Sequence, residues 1–543
     1  MSSNSYNKLF VFGLDGGTFD IILPLIEQGK LPNFKKILDS GCHSILKSTV
    51  PPVTAPAWIS FMTGNSSFKT GVFDFRKLNL SDYSNYTTKL MDLSCVESKT
   101  FIEILSGNGK KVLSLFLPMT YPPFKTNGIM LSGFPRPENN KLPVYPHGYY
   151  DKIKHLKPEK LIIKPTTKKK RFAKNLDIRA KKEAELALKI IDSESYDCCV
   201  FVMSTIDHGS HFFWDRCLDD TDNTLRKQYI YADRVLGEIL NRLNEKTALM
   251  IMSDHGFGPT PGYFFYINKF LIDTGYLCLK KDLDAATVPI LNRAVTKIKQ
   301  SINPVLWQKL KDIVPKDVQN GLWKAHKNLN IYDFENTKLF GGTLYLNYAY
   351  FNVNLKNRQK YGVVEKSKYN SMLDLFLDKL SLVKTPANKK IINDVVYRKK
   401  DHKDTELPDL ILEFNEDIEI RDTLKNNLFE KRDKKFYKFP GQHRKNGIFM
   451  MKGPGTKKIE LKDSPYIYDL MPTILYYLGS PIPKDIEGKV IEEIFDNSFL
   501  NKHKIKYLED NNNAHKYDRG KEDIKESERT MIEEQLRNMG YLD

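Results

Sequence analysis

Leu9-Phe10-Val11-Phe12-Gly13-Leu14-Asp15 is the stretch that decides the fold. An unbroken apolar run, with one glycine, ends on a carboxylate. The same grammar returns twice. Cys198-Cys199-Val200-Phe201-Val202-Met203 is followed closely by Asp207, and Ala248-Leu249-Met250-Ile251-Met252 by Ser253-Asp254-His255. Runs of this length without polar alternation suit strands buried on both faces of a parallel sheet. Amphipathic stretches lie between them, and Arg179 to Ile191 and Gln228 to Leu243 read as helices. Strands alternating with helices predict a three-layer α/β/α sandwich with a mostly parallel central sheet. In open α/β sheets, ligands bind beyond the carboxyl ends of the strands. All three runs carry acids or histidines at that end, which predicts a site there.

Each cluster has an ordinary reading and a chemical one. Asp207 and His211 are four apart, so they share a face if the chain is helical there, and a carboxylate with an imidazole can ligate one metal. Such pairs more often cap or decorate a surface. Asp254-His255 sits at a strand end, followed by Gly256 and Gly258, which let the backbone turn. Gly441-Gln442-His443-Arg444 is a further loop-borne histidine among the 11 of the chain, and His208 reads as a neighbour of the ligands at most. In Pro52-Val53-Thr54-Ala55-Pro56-Ala57-Trp58, Pro56 suits a helix's first turn and Gly64 its end. Thr54 then stands at or just before a helix N-terminus, where N–H groups and the dipole favour a phosphate. Its competing role is an N-cap. Together these carboxylates, imidazoles and one hydroxyl can build two adjacent metal sites beside a nucleophile, without any thiolate.

Composition narrows the class. The chain has 543 residues, 41% hydrophobic and 28% charged, the balance of a globular protein. A net charge of +17 suits an anionic substrate, but a lysine-rich solvated surface explains it as well. No nucleic-acid-binding motif is present, so no nucleic-acid partner is expected. The six cysteines form no CxxC pair; Cys198 and Cys199 read as core residues, and a reducing compartment is expected. No apolar run is long enough to span a bilayer, and the first residues lack the marks of a signal peptide. A cytoplasmic protein is the expectation. Oligomeric state is not legible. Insertions are expected about 76–100, 135–176 and 280–335 within a body spanning 1–498. Lys280 to Asn330 reads as helical, and the basic run Lys168 to Arg171 as a surface loop. A charged tail follows over 499–543, with a helix from Lys521 to Met539.

The order of the motifs carries a resemblance. Gly13-Leu14-Asp15-Gly16, then Pro52 to Trp58, then Asp207-x-x-x-His211, then Ser253-Asp254-His255-Gly256, then Gly441-x-His443 resembles the alkaline phosphatase superfamily, and within it the type I phosphodiesterase and nucleotide pyrophosphatase family. Gly71 to Phe75, Met119 to Pro123, Ser132-Gly133-Phe134, Asp469 to Leu475 and the terminal Leu536 to Leu542 also look like microbial members. The resemblance implies an alkaline phosphatase-like fold with inserted cap segments and two divalent ions, zinc with manganese as the alternative. Asp207, His211 and His443 match the ligands of one ion. Asp15, Asp254 and His255 match those of the other, joined by Thr54 as the nucleophile of a phosphothreonine intermediate. Ala57 stands where the family carries an asparagine that holds a phosphoryl oxygen. The sulfatase signature and the membrane spans of phosphoethanolamine transferases are both absent.

The function this implies is hydrolysis of small phosphate esters, as a phosphodiesterase or nucleotide pyrophosphatase. Two alternatives stand beside it. One is a phosphomonoesterase or phosphate-transferring enzyme of the same superfamily, such as the cofactor-independent phosphoglycerate mutases. The other is a binding protein that keeps the fold without catalysis. Nothing in the insertions names the substrate.

Overall fold

The structure is a computed structural model that describes residues 7–79, 83, 86–137, 141–156, 169–218, 223–280, 331–400, 407–433, 439–508 and 524–541. The chain divides into two compact units. The first takes in residues 1–77, 88–260 and 438–543; the second takes in 78–87 and 261–437.

The first unit is built on a nine-stranded sheet. In chain order its strands are β1 (Lys8–Leu14), β2 (Cys42–Lys47), β3 (Val112–Leu117), β4 (Gly128–Ser132), β5 (Val144–Tyr145), β6 (Cys198–Met203), β7 (Thr247–Met252), β9 (Asn446–Lys452) and β10 (Ile459–Glu460). A short strand, β8 (Gly441–Arg444), precedes β9 and lies outside this sheet. Across the sheet the order is β10-β2-β9-β7-β1-β6-β3-β4-β5. The three runs that opened the sequence reading lie side by side at its centre. β1 pairs in parallel with β6 on one side and with β7 on the other. Nearly every residue of these strands is buried, because helices cover both faces. This is the expected α/β/α sandwich; β9 runs antiparallel to both β2 and β7, and the short edge strand β5 antiparallel to β4.

Two groups of helices form the outer layers. One joins α1 (Thr54–Thr63) to the helices Phe101–Gly107 and Leu470–Tyr477. The other joins α2 (Lys169–Ser193), α3 (Thr205–Leu218) and α4 (Thr224–Leu240). α2 begins earlier than the sequence reading placed it. Lys169, Lys170 and Arg171 form its first turn instead of a surface loop, because lysine and arginine are good helix formers. A final helix, α5 (Glu526–Met539), follows within the same unit.

The second unit, inserted in the chain after residue 260, holds two smaller sheets. A four-stranded antiparallel sheet runs Leu339–Tyr345, Tyr348–Val353, Leu410–Phe414, Ile392–Arg398. Its core includes Phe351, Phe376 and Leu412. Buried Asp409 is held by a two-pronged Arg358 guanidinium at 2.7 and 2.6 Å. Removing one partner of a buried ion pair strands the other charge. Arg358→Ala should therefore destabilise this unit by about 3 kcal/mol, the low end of the usual range because Tyr369 and Val353 still donate to Asp409. Urea unfolding checks this; a loss under about 1 kcal/mol would show the pair to be dispensable. The helical reading of Lys280 to Asn330 falls on residues 281–330, outside the described residues. Among the described residues, no helix is long and apolar enough to cross a membrane, and the five cysteines found there in the thiol form make no disulfide.

Candidate metal centre

Strand order brings the three acids together. Asp15 follows β1, Asp254 follows β7, and Asp207 lies in the first turn of α3 just after β6. Adjacent parallel strands end at the same edge, so their carboxyl-terminal side chains meet. Gly16, at φ +71°, turns the chain after Asp15 and donates its N–H to Asp254 Oδ1 at 3.1 Å. A Cβ at Gly16 would meet the Phe257 ring at 2.9 Å.

The histidines arrive by separate routes. α3 is helical through Asp207 and His211, so both project from one face, with His211 Nε2 3.6 Å from Asp207 Oδ1. His443 comes from far along the chain. β8 pairs antiparallel with Gly256–Pro259, placing His443 opposite Phe257. The His443 and His255 rings then stack, centroids 3.7 Å apart. His443 Nε2 lies 3.1 Å from Asp207 Oδ1 and 3.0 Å from His211 Nε2. The structure thus gathers Asp207, His211 and His443 in one cluster, and Asp15, Asp207 and His255 in a second. Asp254 borders the second, its Oδ2 3.2 Å from His255 Nε2. Asp207 therefore reaches both clusters, whereas the motif pattern assigned it to one.

Thr54 opens α1 but does not cap it. The cap residue is Val53, and no side-chain cap bond forms. The Thr54 hydroxyl instead faces His255 Nε2 at 3.2 Å, fully buried. The capping alternative weighed from sequence is thereby removed. The first turn of a helix leaves N–H groups without intrahelical partners, here those of Thr54 and Ala55, since Pro56 has none.

The protonation pattern can be read from the backbone. Nδ1 of His211, His255 and His443 meets the carbonyl oxygens of Gly441, Gly256 and Pro52 at 3.2, 3.1 and 3.0 Å. A carbonyl can only accept, so each Nδ1 carries the proton and each Nε2 presents a lone pair. Burial pushes the His211 imidazole down to about 4 and that of His443 to about 3. His255 is driven well below its ordinary value, by burial first and by neighbouring His443 next. At neutral pH no proton bridges His211 Nε2 and His443 Nε2, and two lone pairs 3.0 Å apart repel. The carboxylates show the complementary deficit. Burial raises Asp15 and Asp254 well above the usual range, and the negative neighbours add to it for Asp15. Asp15 Oδ1, Asp207 Oδ1 and Asp254 Oδ2 are buried and accept no hydrogen bond. Orphaned acceptors are costly to bury. Converging lone pairs and unmatched carboxylate oxygens are what divalent cations satisfy, so the residues present fit the two ions the fold family implies.

Sequence reasoning missed one residue of this centre. The Tyr541 hydroxyl donates to Asp207 Oδ2 at 2.5 Å. Its signal was faint: an amphipathic helix, then Gly540 as a helix stop, then one aromatic. His208 belongs to neither cluster; it packs edge-on against Phe134, with Nδ1 3.5 Å from the Arg179 guanidinium.

A family model described as type I phosphodiesterase / nucleotide pyrophosphatase matches residues 9–444. Among solved structures, phosphonoacetate hydrolase from Sinorhizobium meliloti 1021, in complex with phosphonoformate and again with phosphonoacetate, is similar in fold. The TM-score is 0.50 at 13% identity in both cases, over 88% of this chain and 96% of that one. No curated protein sequence matches.

Proposed function

The chain belongs to the type I phosphodiesterase / nucleotide pyrophosphatase family of the alkaline phosphatase superfamily, a family of phosphoryl-transfer hydrolases, and from that premise we propose that it hydrolyses small phosphate diesters through a phosphothreonine formed on Thr54. One observation carries the reading. The Thr54 hydroxyl lies at a helix N-terminus against a centre of three Nε2 lone pairs and three unmatched carboxylate oxygens. A merely structural cluster would have its acceptors paired.

Asp207, His211 and His443 would hold one divalent ion, and Asp15, Asp254 and His255 the other, with Thr54 beside it. Such ions, zinc with manganese as the alternative, supply Lewis acidity that lowers the pKa of a nearby hydroxyl and offsets phosphoryl charge. Everything else falls to the chain. The helix N-terminus orients the anionic phosphoryl group over Thr54 Oγ1. Bond formation between that oxygen and phosphorus breaks the bond to the departing alkoxide, which leaves with the hydroxyl proton as an alcohol. Water then cleaves the Thr54 ester, restoring the hydroxyl and releasing a phosphate monoester. The three Nδ1-to-carbonyl bonds keep the imidazoles fixed throughout. Ala57, fully buried, contributes no side-chain donor to the phosphoryl group.

Bis-p-nitrophenyl phosphate compared with p-nitrophenyl phosphate tests the diester preference, with zinc or manganese added. The diester should turn over with a kcat/KM at least about tenfold higher, about 1.4 kcal/mol of transition-state discrimination. Preference for the monoester would move the reading to a phosphomonoesterase, and turnover of neither would favour a binding protein.

A further inference from the structure

We propose that Tyr541 is a positioning residue of this centre: its hydroxyl fixes the Asp207 carboxylate so that Oδ1 faces the His211–His443 cluster. The inference rests on the two-ion reading above.

The sequence of α5 builds the delivery. Ile532, Leu536 and Met539 recur at intervals of four and three, forming one face, and all three are buried. That face docks the helix on the first unit. Glu533 pairs with Arg76 at 3.0 Å, and Gln535 Oε1 accepts the Arg136 N–H at 3.3 Å, setting its register. Gly540 then adopts φ +90°. Its N–H bonds to the Arg537 carbonyl and that of Tyr541 to the Leu536 carbonyl, the paired closure of a left-handed helix stop. Any Cβ at Gly540 would lie 2.5 Å from the Phe439 ring, so the turn is both conformationally and sterically reserved for glycine. The turn throws Tyr541 off the helix axis and into the centre.

There the ring is packed on four sides. Its centroid lies 5.0 Å from Phe75, 5.6 Å from Phe134, 5.4 Å from His211 and 5.8 Å from His443. The hydroxyl reaches Asp207 Oδ2, the other oxygen of the carboxylate. Oδ1 is left without a hydrogen bond, 3.1 Å from His443 Nε2 and 3.6 Å from His211 Nε2. A carboxylate bonded at one oxygen cannot rotate freely. The phenol therefore chooses which oxygen of Asp207 is offered to an ion, as outer-shell partners of metal ligands do. A tyrosine used only to fill space would have no need to place its hydroxyl on the one acid that reaches both clusters.

Tyr541→Phe tests this in the full chain, because it removes the hydroxyl and keeps the packing ring. Zinc affinity is read by competition with a chromogenic chelator, and thermal unfolding is followed in excess chelator. The expected result is one zinc bound as tightly as in the unaltered protein and one bound about 10–100-fold more weakly, with the metal-free protein still unfolding in one cooperative transition. Two zinc ions of unaltered affinity in Tyr541→Phe would overturn the inference and leave the two-ion reading standing. Faster turnover by the variant would also overturn it, by showing that the hydroxyl obstructs the centre. An unaltered protein that binds no divalent ion would overturn the two-ion reading itself, and this inference with it. Gly540→Val is the second variant: expelling Tyr541 by a different route should weaken the same zinc, and unweakened binding there would count against the proposal.

Discussion

Thr54→Ala is expected to lose turnover on the order of 10⁴-fold or more, while keeping its fold and its metal. The size follows from what the hydroxyl does: without it no oxygen of the chain can form the phosphoryl ester, and only binding and charge stabilisation remain. Folding should survive because Val53, not Thr54, occupies the cap position, and the hydroxyl makes no capping bond. Metal should survive because Asp15, Asp254 and His255 remain. Thr54→Ser should keep measurable activity, since a primary hydroxyl occupies the same place beside His255 Nε2. Single-turnover kinetics with a chromogenic diester, beside elemental analysis of each variant, provide the check. A fully active Thr54→Ala would refute the nucleophile assignment whatever its stability.

Asp207→Asn should do nearly as much damage, through the metal instead of the nucleophile. Asp207 lies within reach of both clusters, whereas His211 belongs to one. His211→Ala is therefore expected to lower bound metal from about two ions per chain to about one. Asp207→Asn should lower it further and cut kcat/KM by about 10³-fold or more, because an amide keeps the shape but brings one acceptor and no charge. Exhaustive chelation should abolish turnover, and added zinc or manganese should restore it. Asp207→Asn with full metal and full activity would show that the shared carboxylate is incidental. Activity that survives chelation would count against the whole mechanism.

Most of this centre was legible in the sequence because its acids obey a local rule. A buried strand of a parallel sheet must be apolar throughout, so the first polar residue after such a run marks the strand's carboxyl end. Asp15 and Asp254 stand at that point, and Asp207 follows just beyond it. Asp207 and His211 needed only helical periodicity to share a face. The layered fold followed from the same runs, and the family from the order of five motifs.

Tertiary structure alone decided the rest. The motif order named His443, but its placement has no periodic signal: it enters the centre because Gly441–Arg444 pairs with Gly256–Pro259, a contact between segments far apart in the chain. Tautomers were beyond the sequence as well, since each Nδ1 is fixed by a carbonyl whose position depends on the folded backbone. So was the exclusion of a capping role for Thr54, which turned on a one-residue difference in where the helix begins. Tyr541 lay furthest from reach. The sequence alone shows an amphipathic helix and a glycine stop, but an apolar face has no address until the surface it covers exists. Period and strand-end chemistry are local and survive in one dimension. Register, tautomer and docking are set by long-range contacts, and these exist only once the chain has closed on itself.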